Sequence, residues 1–98
     1  MIVDVIQAAK EDIAEAYHFY ERQQKGLGRY FRECILEDLY ELETTAGIHR
    51  VIRGYYHANS KRFKSILYYR IDGETAIVVA ILDGRINLQK RDRILLLR

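Results

Sequence analysis

The stretch that leaves this chain least freedom is residues 60–85, SKRFKSILYYRIDGETAIVVAILDGR. Side chains alternate from Arg62 to Asp72, so Phe63, Ser65, Leu67, Tyr69 and Ile71 fall on one face of a strand. Arg62, Lys64, Ile66, Tyr68, Arg70 and Asp72 fall on the other. Asp72-Gly73 is a type I′ turn signal, because both central positions of that turn need positive φ. Thr75 to Leu82, TAIVVAIL, is nearly continuous in apolar and β-branched residues, as a strand covered on both faces requires. The pattern predicts a hairpin with one oily face and one carrying three cations and a tyrosine. That second face reads either as solvated, its charges discouraging edge pairing, or as a surface for phosphate or acidic polypeptide with Tyr68 free to stack.

The remaining segments supply the support. Ile2–Ile6 predicts a short first strand. Ala9, Ile13, Ala16, Tyr17 and Tyr20 form one apolar stripe and predict a helix from Ala8 to about Gln24, with Asp12 placed to suit the helix dipole. Gly26-Leu27-Gly28 breaks the pattern, with Gly26 suited to a left-handed helix end. Leu27, Phe31, Cys34, Ile35, Leu39 and Leu42 predict a second helix to about Thr44, with Cys34 a small buried hydrophobe. Arg50–His57 reads as one strand, and Gly54 within it as a bulge or close approach. Residues 86–98 read as a final short strand or a docked tail. The expected fold is therefore α+β, ordered β-α-α-β-β-β. A helical hairpin packs on one face of a small antiparallel sheet and the other face stays open.

Ninety-eight residues with 49% hydrophobic content and no proline suit a single domain, 1–98. One cysteine cannot form an internal disulfide, which points to a reducing cytoplasm. The N-terminus lacks the pattern of a secretory signal, and the longest apolar run is far short of a membrane span. The net charge of +2 conceals a split. Residues 1–49 carry five Lys/Arg against ten Asp/Glu, and residues 50–98 carry eleven against four. The second half should attract a polyanion or an acidic partner segment.

His18, His49, His57 and Cys34 have no metal-ligand spacing, and no phosphate loop or nucleophile elbow occurs, so no metal and no cofactor is expected. One chemistry remains open. RNA can be cleaved by its own 2′-hydroxyl where cations stabilise the phosphate and a tyrosine assists proton transfer. Lys61, Arg62, Lys64, Tyr68, Arg70 and Arg85 are the residues of the right type.

Over nearly its whole length the chain resembles the RelE/ParE superfamily of bacterial type II toxins. The resemblance rests on a first strand leading into AAKEDIAEAYHFYERQQKGLGRYF, then on SKRFKSILYYRIDGETAIVVAILDGR. Gly26-Leu27-Gly28 with Phe31 is typical of the ParE-like branch, and Arg62, Phe63, Leu67, Tyr68, Tyr69 and Arg70 match the strand motif RF-x-x-x-(I/L)-YYR. The resemblance implies a small cytoplasmic toxin, held by a cognate antitoxin in a hetero-oligomer. It would inhibit DNA gyrase if ParE-like, or cleave mRNA on the ribosome as an mRNA interferase if RelE-like. Arg70 and Arg85 match the basic positions of the nucleases. Lys64 and Ser65 replace a family Pro-aromatic pair, and no Tyr or His follows Tyr69 to serve as the C-terminal acid–base group. These departures favour the ParE-like reading, with the interferase and a non-toxic antitoxin binder as alternatives.

Overall fold

In the computed structural model, which describes residues 1–98, eight elements follow one another. They are β1 (Ile2–Val5), α1 (Gln7–Gln23), α2 (Leu27–Thr45), β2 (Arg50–Ile52), β3 (Tyr55–Asn59), β4 (Ser65–Asp72), β5 (Thr75–Asp83) and α3 (Leu88–Leu96). The strands form one sheet in the order β1-β5-β4-β3-β2. The hairpin predicted at Asp72-Gly73 is its centre, with Asp72 paired to Thr75 across the turn and Gly73 at φ 61°.

Three expectations are corrected. The sheet is mixed, because β1 joins β5 in parallel, Ile2 opposite Thr75 and Val5 opposite Val78. The segment Arg50–His57 is two strands, since Arg53 (φ 53°) and Gly54 (φ 85°) both turn left-handed and fold β2 back on β3. Arg53 is the one non-glycine residue with positive φ, so a turn of this hand was hidden behind an arginine. The second sheet face is not open: residues 88–96 form α3, which lies across it. Asn87 caps that helix, its side-chain oxygen accepting from the Gln89 and Lys90 amides at 2.9 and 3.2 Å.

The helical hairpin covers the first face as predicted. Phe31, Ile35, Leu39 and Leu42 of α2 and Ala9 of α1 pack on Leu67, Tyr69, Ala76, Val78 and Ile81. Tyr20, Phe31 and Phe63 close one end with ring centroids 5.0 Å apart in each pair. Cys34 is buried here. Tyr69 fixes the return from helix to sheet: its hydroxyl accepts from the Gly47 amide at 2.9 Å and stands 2.5 Å from Nδ1 of His49.

A bulge decides what the second face contains. Tyr68 pairs with Ala80 but Tyr69 pairs with Val78, so Val79 is an extra residue in β5. Parity shifts there. Ala76, Val78 and Ile81 face the helical hairpin, while Val79 and Ala80, although adjacent, join the second core with Tyr68 and Leu95. A strand without the bulge would turn Ala80 back toward α1 and break this small core.

Both glycines of the GLG turn have distinct work. Gly26 takes φ 88° between the helices. Gly28 lies where α2 crosses α1, and a Cβ there would meet the Tyr17 carbonyl oxygen at 2.5 Å. Glu21 closes the turn by accepting from the Gly26 and Gly28 amides at 2.9 and 3.0 Å, two donors the start of α2 would otherwise leave free. Those bonds hold the Glu21 carboxyl below the usual range. Gly28→Ala should force the two helices apart and cost about 2 kcal/mol. A urea melt should show a lower midpoint at unchanged slope; an unchanged midpoint would contradict the close crossing.

Candidate functional site

The cations expected on one face are distributed over two. β4 begins at Ser65, so Arg62 and Lys64 lie in the bend before it. Arg62 turns toward α2, its Nη1 2.6 Å from Glu37 and 3.8 Å from Cys34 Sγ. The Glu37 contact raises its pKa further above the arginine value. Lys61 pairs with Glu41 at 2.6 Å. Arg85 forks onto Asp83, Nε at 2.9 Å and Nη2 at 2.7 Å, and holds that carboxyl below its ordinary range.

Arg62, Lys64 and Arg85 do border one shallow cleft of about 470 Å³, together with Ser60, Ser65 and Gly84. Of these three cations only Lys64 has no carboxylate partner. Arg70 is exposed and outside the cleft. Tyr68 is 1% exposed, beneath α3. Lys61, Arg62, Lys64 and Arg85 therefore share a cleft that Tyr68 and Arg70 do not line.

Tyr68 instead belongs to a cluster the sequence reading did not assemble. Across the sheet it stands opposite His57, which stands opposite Arg50, so the three share the face under α3. The His57 and Tyr68 rings meet edge-on with centroids 4.5 Å apart. Arg91 of α3 comes down beside them, and its Nε and Nη2 bond to Asp92 at 3.1 and 2.9 Å. Asp92 also reaches Arg53 in the β2–β3 turn at 3.3 Å. Burial raises the Tyr68 hydroxyl's pKa, with Arg91 pulling the other way. His57 Nε2 is buried with no hydrogen-bond partner. One signal pointed here, Gly54, which marks a break within Arg50–His57.

The far end of α3 is tied to α1. β1 pairs with β5 only from Thr75 to Val78, and beyond that the outer edge of β5 has no strand beside it. Asp12 supplies an acceptor there, its Oδ2 taking the Ile81 amide at 3.0 Å. Arg98 supplies a donor, its Nη1 2.7 Å from the Val79 carbonyl. The two side chains then bind each other in a fork, at 2.8 and 2.9 Å. Both are largely buried, 15% and 12% exposed. The sequence suggested a role for Asp12 in the dipole of α1; its actual partners lie 69 and 86 residues away.

What faces solvent is a divided surface. Arg50, Arg70, Lys90 and Arg93 are exposed on the α3 side, and none has a carboxylate partner. Between α3 and the β2–β3 turn lies an open groove of about 650 Å³ lined by Arg53, Tyr55, Gln89, Asp92, Arg93, Leu95 and Leu96. Leu96 and Leu97 beside it are 85% and 87% exposed. No helix is long and apolar enough to cross a membrane.

This fold is one used in a type II toxin–antitoxin system. A chain of the chromosomal ParDE TA system from P. aeruginosa matches it with a TM-score of 0.74 at 16% identity, over 83% of this chain and 92% of that one. Residues 3–88 match the family described as ParE toxin of type II toxin-antitoxin system, parDE. The chain belongs to the ParE toxin family, and that membership implies an antitoxin as its partner. No curated protein matches the sequence.

Removing the Asp12 carboxylate would leave Arg98 unpaired and the Ile81 amide without an acceptor. Asp12→Ala should therefore cost about 3 kcal/mol. Denaturant unfolding checks the number, and a loss below about 0.5 kcal/mol would mean that water replaces the pair at no cost.

Proposed function

We propose that this ParE-family toxin acts in the cytoplasm as one domain, residues 1–98, inhibits DNA gyrase, and is silenced by a cognate antitoxin within a hetero-oligomer. The observation that carries the choice of gyrase over RNA cleavage is the fate of the basic residues. A nuclease built on Arg62, Lys64, Tyr68, Arg70 and Arg85 needs several donors aimed at one phosphate and a reachable proton carrier. Here Arg62 and Arg85 each hold a carboxylate. Tyr68 lies under a helix, and Arg70 lies outside the cleft that the other cations border. A protein that works by binding needs none of these groups to converge.

The divided surface supports the antitoxin's place. The α3 side offers the unpaired cations Arg50, Arg70 and Arg93 beside a groove that ends in Leu95 and Leu96. An acidic amphipathic segment would match it in both charge and apolar content.

Inducing the protein in bacteria without its antitoxin tests the target. Amino-acid incorporation should continue through the first minutes while DNA replication fails and cells filament, and Arg70→Glu and Arg85→Glu should leave toxicity within about twofold, since neither forms part of an assembled site. Purified protein should stabilise gyrase–DNA cleavage complexes. Immediate collapse of incorporation, abolished by either substitution, would reinstate the interferase. No effect on translation or replication would leave a protein that only binds its antitoxin.

A further inference from the structure

α3 is held to the sheet by few contacts, and one of them is a proton acceptor with nothing to accept from. Leu95 is the single α3 residue that is buried. The rest of the attachment is polar. Arg53 reaches Asp92 at 3.3 Å, the Tyr55 hydroxyl reaches the Leu95 carbonyl at 3.5 Å, and Arg98 reaches Asp12 and Val79. In the middle sits His57.

The two guanidiniums that act on His57, those of Arg91 and Arg50, both make its protonation unfavourable. Arg50 stands opposite it on β2, Arg91 lies over it on α3, and Tyr68 presents a ring edge from β4. Asp92, the nearest carboxylate on α3, already serves Arg91 and Arg53. The helical hairpin packs on the opposite face of the sheet and offers no counter-charge. A proton added at the buried Nε2 would create a donor without an acceptor and a third cation beside two guanidiniums.

We propose that His57 is a proton-operated latch for α3. With the imidazole neutral the helix seats on the sheet; protonation lifts it while the sheet and the helical hairpin stay folded. The direction agrees with the electrostatics: burial, then the charge of Arg91, pushes the His57 pKa down, the Ile52 main chain pulls weakly up, and Arg50 adds to the depression. A depressed histidine contributes full stability above its unfolded value of about 6.5 and loses it as pH falls below that value. Detachment would uncover Tyr68, Val79 and Ala80, a buried apolar strip, next to the free cations Arg50 and Arg70. Acidity would thereby change which surface the protein offers a partner.

Amide hydrogen exchange on the full chain, corrected for intrinsic rates, tests this at pH 7.5 and 5.5. Protection at the α3 amides of Arg91, Ile94 and Leu95 should drop about tenfold at the lower pH, the equivalent of one pKa unit. The amides of β4 should keep theirs. His57→Gln should abolish the response, and His49→Gln, which alters another half-buried histidine, should leave it in place. Unchanged α3 protection in the natural protein, or a full response in His57→Gln, would overturn the latch. If His57→Gln fails to fold, the imidazole can be titrated directly by NMR. The α3 amide shifts should follow with the same midpoint, and an imidazole that titrates while those amides stay still would equally overturn it.

Discussion

Everything on the second side of this protein depends on how the outer edge of β5 is completed. β1 is four residues long and gives out at Val78, leaving a central strand with exposed main-chain groups on one side. An unfinished edge is costly when buried and an invitation to aggregation when free. Here side chains finish it: Asp12 takes the Ile81 amide and Arg98 donates to the Val79 carbonyl. Because the same two side chains bind each other, the repair of the edge also fastens α3 to α1. The bulge at Val79 lies at the point where strand pairing ends, and it turns Val79 and Ala80 together toward the helix so fastened.

The charge asymmetry of the sequence is partly consumed inside the fold. Lys61 and Arg62 come from the basic half, and Glu41 and Glu37 from the acidic one; they meet where α2 borders the bend before β4. These pairs are exposed and contribute little to stability. Their effect is subtractive, since they remove two cations from any role in gripping a phosphate. Of the cations left over, Arg50, Arg70, Lys90 and Arg93 lie on the α3 side, which gives the molecule one face suited to an acidic partner.

The central hairpin and the helical hairpin were legible because each carries a period that only one structure satisfies: alternation through β4, and four-residue apolar spacing through Phe31, Ile35 and Leu39. The ParE resemblance was legible from motifs in the same two stretches. What escaped was governed by position in space. Arg53 adopts a left-handed turn that its side chain does not advertise, so two strands read as one. The mixture of Leu, Arg and Asp in α3 reads as irregular because the helix buries one leucine and meets the sheet through Arg91 and Asp92. The cationic face looked uniform because strand parity was carried back to Arg62, before the strand begins. His57 and Tyr68 could not be joined from sequence, since β3 must first be separated from β2 for their register to be known.

The fork between Asp12 and Arg98 also sets an order of assembly. The α1–α2 turn closes over a handful of residues, Glu21 reaching only to Gly26 and Gly28. The β4–β5 hairpin is equally local. β5 cannot have its edge completed until Arg98 is present, and a chain emerging from the ribosome delivers that residue after every strand. A nascent toxin would therefore pass through a stage with both hairpins formed and the β5 edge still open.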